Sequence, residues 1–349
     1  MGMAGFAKSL LVGQVLKGAA ITNAHIAITK RCNLGCPICY QKKKTDLLSL
    51  EDIHFLIDEL KRLGAQRISL TGGEPLIRDD IGEILQHIKK AGMSSAMASN
   101  GLLAAKRAKE LKDLDYISLS YKGTTCDLDE IKETFEVMRS IGIKYQICLV
   151  LVRDICVVEK IAKAIDYCQK RNILISIIPF YTSSWHIAPT RTTDASYENL
   201  PTDVLEHVPT TEAFEKVIRM IISRIDKGAP IAISKPSYQT CLNWPDLRKT
   251  ALTKEEFAQT PVAAPSRCHA GRRFVMIDDD GTVLPCWTFR DMHGAAINYR
   301  THGIREAIKR LDGHSCRVCL NLGFMELNYS FDLKPQTLWH YARISRRIS

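Results

Sequence analysis

The run His25-Ile-Ala-Ile-Thr-Lys-Arg-Cys-Asn-Leu-Gly-Cys-Pro-Ile-Cys-Tyr40 decides the fold, because a short β-rich stretch leads straight into a loop with three cysteines. The spacing of Cys32, Cys36 and Cys39 lets one loop surround a metal centre from three sides and leaves one coordination position open. A cubane [4Fe–4S] cluster held by three thiolates has one iron free for another ligand. Zinc is the alternative, although a structural zinc takes a fourth protein ligand and no histidine lies near this loop.

Outward from this loop, β-rich runs alternate with amphipathic helical patterns. Helix starts are marked by Ser49 with Asp52, a capping pair, and by Asp79. Six β/α units predict an α/β protein with a parallel sheet, curled into a partial (β/α)6 TIM-like barrel, with the chemistry on the loops after the strands. The predicted strands are His25 to Thr29, Arg67 to Thr71, Ser94 to Ala98, Tyr116 to Ser120, Lys144 to Val152 and Leu174 to Tyr181.

The sequence divides into four predicted parts. In residues 183–265 the pattern changes to Pro, Thr and Ser punctuation around one clear helix from about Thr211 to Asp226. Later, Asp280-Gly281 stands between two apolar runs, Phe274 to Ile277 and Thr282 to Leu284, which predicts a β-hairpin. The expected parts are an N-terminal helical segment (1–23), the partial barrel (24–182), a linker and substrate-facing region (183–265) and a small α+β metal-binding domain with a C-terminal tail (266–349).

Composition excludes several classes of protein. The 349 residues are 46% hydrophobic and 25% charged, which is typical of a folded domain. The net charge of +10 is spread along the chain, so we expect a small anionic partner and no nucleic acid, since the basic runs lack interleaved aromatic residues. Twelve cysteines without an export signal predict a cytoplasmic protein that uses them for metal ligation or redox chemistry.

The segment from Phe6 to Ala20 is apolar but too short to span a bilayer. It contains Lys8 and Lys17 and has no charged region ahead of it, which does not suit a secretory signal. We expect a short amphipathic helix packed on the protein, and peripheral membrane contact is the alternative. Nothing in the sequence indicates the oligomeric state.

A Gly-Gly-Glu-Pro turn, Gly72-Gly73-Glu74-Pro75, follows the second predicted strand. Glycines there let the backbone come close to a ligand, and a carboxylate such as that of Glu74 suits an ammonium group. Polar side chains also lie at or after later strands. These are Asn100, Ser118, Ser120 and Arg153.

The cysteine loop and this turn together resemble the radical S-adenosylmethionine superfamily. In that family the amino and carboxylate groups of S-adenosylmethionine chelate the open iron, and reduction yields a 5′-deoxyadenosyl radical. The resemblance implies that Tyr40 lies near the adenine and that the Gly72 to Pro75 turn binds the amino group. It also implies that Asn100 belongs to the family's polar cofactor-binding turn after strand three and that Ser118 and Ser120 contact the ribose or carboxylate. Arg153 is expected to face the cofactor carboxylate, with a solvated arginine as the alternative. The sequence departs from the family at Ser120-Tyr121-Lys122-Gly123, where many members have an acidic residue before the glycine.

A second cysteine set begins with Cys268, continues through Gly281 and four further residues to Cys286, and ends with the pair Cys316 and Cys319. It resembles the twitch domain, the shortened relative of the SPASM domain in the same superfamily. The resemblance implies an auxiliary [4Fe–4S] cluster with four thiolates, no iron open to substrate and a role in electron transfer. A four-cysteine zinc ribbon is the alternative.

We therefore expect a radical S-adenosylmethionine enzyme that takes a hydrogen atom from a small molecule of the sugar, nucleoside, cofactor or lipid type. The implied partners are this substrate and a reductant such as flavodoxin or ferredoxin. Cys241 is a candidate hydrogen-atom donor, with plain packing as its alternative. The alternative functions are maturation of a ribosomally made peptide and a non-catalytic, structural metal-binding protein.

Overall fold

The computed structural model describes residues 21–39, 47–121, 123, 125–181, 202–288, 296–311 and 316–348, which form two compact units. The first unit is drawn from residues 1–120, 131–145 and 270–313. The second is drawn from residues 121–130, 146–269 and 314–349. The segment from Phe6 to Ala20 lies outside the described residues, so the expected helix there stays a prediction.

The described strands and helices follow one another in chain order as β/α units and then as a mixed region. The strands are β1 (Asn23–Thr29), β2 (Arg67–Gly72), β3 (Ser94–Ser99), β4 (Tyr116–Ser120), β5 (Lys144–Leu151), β6 (Leu174–Pro179), β7 (Ala251–Thr253), β8 (Phe274–Ile277), β9 (Thr282–Leu284), β10 (Ile297–Asn298) and β11 (Cys316–Cys319). The α-helices are Leu50–Arg62, Ile81–Lys90, Lys132–Ser140, Val158–Arg171, Thr202–Leu205, Thr211–Asp226, Lys235–Thr240, Lys254–Ala258, Tyr299–His302, Ile304–Lys309, Leu322–Phe331 and Pro335–Ile348. Short 3-10 helices span Pro75–Ile77, Glu110–Asp113 and Leu128–Ile131.

The first unit is built on a sheet with the strand order β10-β9-β8-β1-β2-β3-β4. Strands β8 and β1 to β4 are parallel, whereas β9 and β10 run antiparallel to their neighbours. On one face of this sheet Ile26, Ile68 and Ile117 are completely buried. Burial of each such side chain contributes about 1.5–3 kcal/mol to folding, so this face forms the core of the unit.

The second unit contains β5 and β6, which are paired in parallel from Gln146 opposite Leu174 to Leu151 opposite Pro179. The helices Val158–Arg171 and Thr211–Asp226 contact each other within this unit. A separate antiparallel pair, β7 with β11, carries two of the predicted metal ligands.

The α/β class, the parallel sheet and the six successive strands are confirmed, with strand bounds within two residues of those predicted. The helix Thr211–Asp226 and the Ser49–Asp52 capping box are also confirmed. The predicted start at Asp79 is wrong by one residue. Asp80 is the N-cap residue of the next helix and makes no side-chain capping hydrogen bond, because its carboxylate pairs with Arg78.

The hairpin of β8 and β9 is confirmed, but its place in the fold was not expected. Strand β8 pairs in parallel with β1, from Asn23 opposite Phe274 to Ile26 opposite Ile277. All four residues of β8 are completely buried, as expected for a strand covered on both faces. The hairpin therefore belongs to the main sheet of the first unit.

No helix in the described ranges is long and apolar enough to cross a membrane.

Glu326 forms a buried polar centre in the second unit. One carboxylate oxygen accepts hydrogen bonds from the Ser234 backbone N–H (3.1 Å), the Ser234 hydroxyl (2.8 Å) and the Ser237 hydroxyl (2.5 Å). Burial raises the pKa of Glu326 above its usual value, although these hydrogen bonds act in the opposite direction. The carboxyl group therefore binds a proton more tightly in the folded chain than in the unfolded chain.

This raised pKa predicts a pH-dependent loss of stability. The contribution of Glu326 is complete below the carboxyl pKa of the unfolded chain, about 4.3, and is lost as the pH rises through the folded value. Relative to Glu326→Gln, the wild type should lose about 1.4 kcal/mol per pH unit within that window. Urea denaturation at a series of pH values measures this, with Glu136→Gln on an exposed helix face as the control. A constant difference between wild type and Glu326→Gln contradicts the prediction.

Candidate active site

The three cysteines of the first set lie in the loop directly after β1. Cys32, Cys36 and Cys39 form no disulfide bonds and are half-buried. The backbone N–H of Leu34 lies 3.4 Å from the sulfur of Cys32, and the N–H of Cys39 donates to the carbonyl of Cys36 at 3.0 Å. The second bond closes a tight turn between two of the predicted ligands.

The Gly-Gly-Glu-Pro turn is seated directly on the residues that precede Cys32. The N–H of Gly73 donates to the carbonyl of Thr29 at 2.7 Å, and the N–H of Glu74 donates to that of Arg31 at 2.8 Å. A Cβ atom would lie 2.0 Å from the Thr29 carbonyl oxygen at Gly72 and 2.1 Å from the Arg31 oxygen at Gly73. Both glycines are required because there is no space for any side chain.

Glu74 joins three loops in one hydrogen-bonded network. Its side chain is 1% exposed and accepts hydrogen bonds from the Ser99 hydroxyl (2.7 Å) and from the backbone N–H groups of Leu76 (3.1 Å) and Asn100 (2.7 Å). The Asn100 amide then donates to the Asn33 side chain, 2.8 Å away, in the cysteine loop. The carboxylate thus holds the loops after β1, β2 and β3 together, and its predicted contact with an ammonium group stays a prediction.

The remaining residues predicted to contact the cofactor lie on β4, after β5 and in the part of the chain that is not described. Ser118 and Ser120 are half-buried on β4, on the same face of that strand. The Arg153 side chain donates to the carbonyls of Val208 (3.0 Å) and Leu205 (3.2 Å) at the end of a short helix. Tyr40 lies outside the described residues. The roles of these residues therefore stay predictions.

The second cysteine set occupies both units. Cys286 is buried just after β9 in the first unit. In the second unit Cys316 and Cys319 lie on β11, opposite Thr253 and Ala251 of β7.

Cys268, in the second unit, has an amide close to its sulfur. Asn328 directs its side-chain N–H toward this sulfur, 3.7 Å away, and Asn328 itself is completely buried. Such a contact supports a thiolate ligand. No sequence motif pointed to Asn328, nor to Asn33 and Ser99 in the first site.

Cys241 is completely buried, and its sulfur lies 4.0 Å from the carbonyl oxygen of Ser237. Burial raises the pKa of this thiol far above its usual value. The thiol is therefore un-ionised and packed in the core of the second unit, and the role of hydrogen-atom donor stays a prediction.

An acidic group that the sequence analysis did not single out lies at the turn between β8 and β9. One oxygen from each of Asp278, Asp279 and Asp280 lies within 4.8 Å of the others. The Lys30 ammonium group lies 3.0 Å from Asp278 and 2.5 Å from Asp279, and all three of these side chains are buried. A buried charge without a partner of opposite sign destabilises the folded chain. The pairing of Lys30 with these aspartates therefore fixes the end of β1 to the hairpin.

The donor set of the first loop fits a [4Fe–4S] cluster. Three cysteine side chains lie within eight residues, an N–H is directed at one sulfur, and the adjacent glycine turn packs against the backbone that precedes Cys32, where a Cβ atom would not fit. Thiolates of this kind bind iron–sulfur clusters.

Comparison with known proteins gives a consistent result. Residues 26–182 match the family model of the radical SAM superfamily. A probable GTP 3′,8-cyclase of Methanococcus maripaludis is 29% identical over 180 residues, which cover 47% of this chain and 60% of that protein. A probable GTP 3′,8-cyclase of Pyrococcus abyssi is 36% identical over 108 residues, or 30% of this chain and 35% of that protein. The match thus spans less than two thirds of the length of each of these relatives.

Solved structures share the fold over more of the chain. Streptococcus suis SuiB bound to S-adenosylmethionine aligns with a TM-score of 0.59 at 15% identity, covering 85% of this chain and 67% of SuiB. The protein anSMEcpe with bound AdoMet aligns with a TM-score of 0.54 at 14% identity, covering 94% of this chain and 96% of that one. At such identities the likeness concerns the fold alone.

Two glycines of this region provide a matched test of the packing between the Gly-Gly-Glu-Pro turn and the backbone that precedes Cys32. Gly73→Ala should prevent cluster assembly, because its Cβ would lie 2.1 Å from the Arg31 carbonyl and would displace the start of the cysteine loop. Gly35→Ala lies inside that loop, and its Cβ would meet nothing within 4 Å. Iron content and visible absorbance after anaerobic reconstitution measure the effect. Equal iron content in the two variants would contradict the claim that cluster assembly needs this packing of Gly73 against Arg31.

Proposed function

We propose, on the premise that this chain belongs to the radical SAM superfamily, that it reductively cleaves S-adenosylmethionine and removes a hydrogen atom from a small-molecule substrate. The observation that carries the proposal is the network joining Asn33 of the cysteine loop, Glu74 of the glycine turn and Asn100 after β3. It brings together three loops at the carboxyl ends of parallel strands, where such folds bind their ligands.

Cys32, Cys36 and Cys39 would hold the [4Fe–4S] cluster and leave one iron for S-adenosylmethionine. When bound, these cofactors supply an electron for the sulfonium group and hence a 5′-deoxyadenosyl radical. The protein positions and shields them. The N–H of Leu34 supports the Cys32 thiolate, and the glycine turn brings its own backbone close to the site.

Glu74 contributes by holding the loops around the site in place rather than by contacting the substrate. Its buried charge is compensated by the hydrogen bonds of Ser99, Leu76 and Asn100. Each such bond to a charged group stabilises the loops by about 1.5–3 kcal/mol. The loops are thereby held in place before any cofactor binds, which lowers the ordering cost of binding.

For the substrate we propose a nucleotide or a similar small phosphorylated molecule. The support is the similarity of the first half of the chain to proteins named GTP 3′,8-cyclase. An electron donor such as flavodoxin or ferredoxin would reduce the first cluster.

We further propose that Cys268, Cys286, Cys316 and Cys319 bind an auxiliary [4Fe–4S] cluster that exchanges electrons with the substrate radical. The support is the four-thiol set and the Asn328 amide directed at Cys268. A zinc ion on the same four thiols is the competing proposal.

Removal of any first-loop ligand tests the main proposal. With dithionite as reductant, the wild type should release 5′-deoxyadenosine, and Cys32→Ala, Cys36→Ala or Cys39→Ala should reduce this at least 100-fold, because the cluster loses a ligand. Cys156→Ala, which removes a buried thiol outside both sets, should retain it. The proposal fails if a first-loop variant still releases the product at the wild-type rate.

A metal analysis tests the auxiliary site separately. The wild type reconstituted without oxygen should contain about eight irons and no zinc, and Cys268→Ala or Cys319→Ala about four, as expected for two cubanes. Release of 5′-deoxyadenosine should continue in these variants. A stoichiometric zinc content that these variants lose would replace the auxiliary cluster by a zinc site.

A further inference from the structure

The segment that follows Glu74 supplies a buried arginine to the base of the cysteine loop. Pro75–Ile77 forms a 3-10 helix, and Arg78 is its C-terminal cap residue. Arg78 is 7% exposed, and its guanidinium group donates to the carbonyl oxygens of Ile28 (2.9 Å) and Leu48 (3.0 Å). Both bonds come from the same nitrogen, Nη1, which carries two N–H groups.

These two carbonyls lie on either side of the first cysteine set. Ile28 is in β1, four residues before Cys32, and Leu48 is nine residues after Cys39. One guanidinium group therefore joins two points that are 20 residues apart in the sequence and that enclose all three cysteines. Holding the ends of such a loop together reduces the number of conformations that the loop can adopt.

The backbone at both points needs a hydrogen-bond donor. Ile28 is completely buried and Leu48 is 2% exposed, and buried carbonyl groups are paired in folded proteins. The pairing register between β1 and β2 also shifts at Ile28, since its neighbours Ala27 and Thr29 lie opposite two successive residues of β2. Such a bulge interrupts the ladder of backbone hydrogen bonds. Arg78 thus binds β1 at the irregularity from which the cysteine loop departs.

Two neighbouring side chains hold Arg78 itself in place. The two carboxylate oxygens of Asp80 accept from its Nε (2.8 Å) and Nη2 (2.5 Å) atoms. This bidentate pair fixes the plane of the guanidinium group and compensates its buried charge. Arg107 donates to the backbone carbonyls of Leu76 and Arg78, which holds the backbone of the same segment.

Other contacts hold one side of the cysteine loop each. The glycine turn donates to the carbonyls of Thr29 and Arg31, as described above, and both precede Cys32. Arg300 donates to the carbonyl of Leu47 (3.1 Å), which follows the cysteines. Arg78 contacts both sides with one group.

We propose that Arg78 is a positioning residue for the first metal site. By joining Ile28 to Leu48 it sets the spacing between the two ends of the cysteine loop, and so holds the three thiolates around the cluster. The inference rests on the proposed function, since it concerns the same cluster. Arg78 acts through the loop and needs no contact with cofactor or substrate.

The experiment measures how fast the reconstituted full chain loses its first cluster. The protein is exposed to an iron chelator, and samples taken over time are reduced and mixed with S-adenosylmethionine. The electron paramagnetic resonance signal that changes on this addition reports the first cluster, whose open iron binds S-adenosylmethionine. Arg78→Met should lose this signal at least about 10-fold faster than the wild type, a loss typical for residues that support metal ligands. Arg78→Lys should be intermediate, because an ammonium group lacks the planar fork that binds Asp80.

Arg343→Met is the matched control. This half-buried arginine also donates to a backbone carbonyl, that of Ile225 at 3.0 Å, but it lies in the second unit and outside both cysteine sets. Arg343→Met should keep the cluster as the wild type does. Asp80→Asn retains Arg78 but weakens its bidentate pair, and should fall between the wild type and Arg78→Met. Asp80→Asn and Arg78→Lys decide the question if circular dichroism shows that Arg78→Met is unfolded.

Two results would overturn the inference. One is a folded Arg78→Met that keeps the signal as long as the wild type does, and the other is an equally fast loss in Arg343→Met. Failure of the proposed function has a separate sign, since the wild type would then show no signal that responds to S-adenosylmethionine and would release no 5′-deoxyadenosine with dithionite.

Discussion

The buried carboxylate of Glu74 is the interaction on which the site depends. A charge that is 1% exposed is stable only when its oxygens accept hydrogen bonds, and the donors come from the loops after β2 and β3. The requirement to compensate one buried charge thus fixes two loops at once. Through Asn100 and Asn33 the same requirement extends to the cysteine loop.

A second buried charge, that of Lys30, fixes β1 to its other neighbouring strand, β8. Lys30 follows β1 directly and pairs with Asp278 and Asp279 at the end of β8. Removing one member of such a pair costs about 3–5 kcal/mol, because the remaining charge stays buried. The cysteine loop therefore begins from a strand whose end is held by the glycine turn on one side and by the hairpin on the other. Cys286 follows that same hairpin, so the first unit carries cysteines of both sets.

One face of the sheet supplies most of the stability of the first unit. The apolar face buries residues such as Leu70 and Leu119 completely, which supplies the hydrophobic free energy of the unit. The loops that carry Cys32, Glu74 and Asn100 follow the carboxyl ends of β1, β2 and β3.

Much of this protein was determined by its sequence alone. The alternation of β-rich and helical periodicity gave the α/β class and six strands, because periodicity follows from local backbone geometry. The spacing of Cys32, Cys36 and Cys39 and the two glycines at 72 and 73 predicted the first site, since ligand number and backbone space are local properties.

Only the tertiary structure decided which groups pair with the buried charges of Glu74 and Lys30, and where the β8–β9 hairpin lies in the sheet. Glu74 stood next to the glycines in the sequence, but its donors Ser99 and Asn100 lie 25 and 26 residues away. Lys30 and Asp278 are separated by 248 residues, and the pairing of β8 with β1 spans a similar distance along the chain. Periodicity and spacing carry no information about such contacts, because these depend on which strands become neighbours when the chain buries its charges and its apolar surface together.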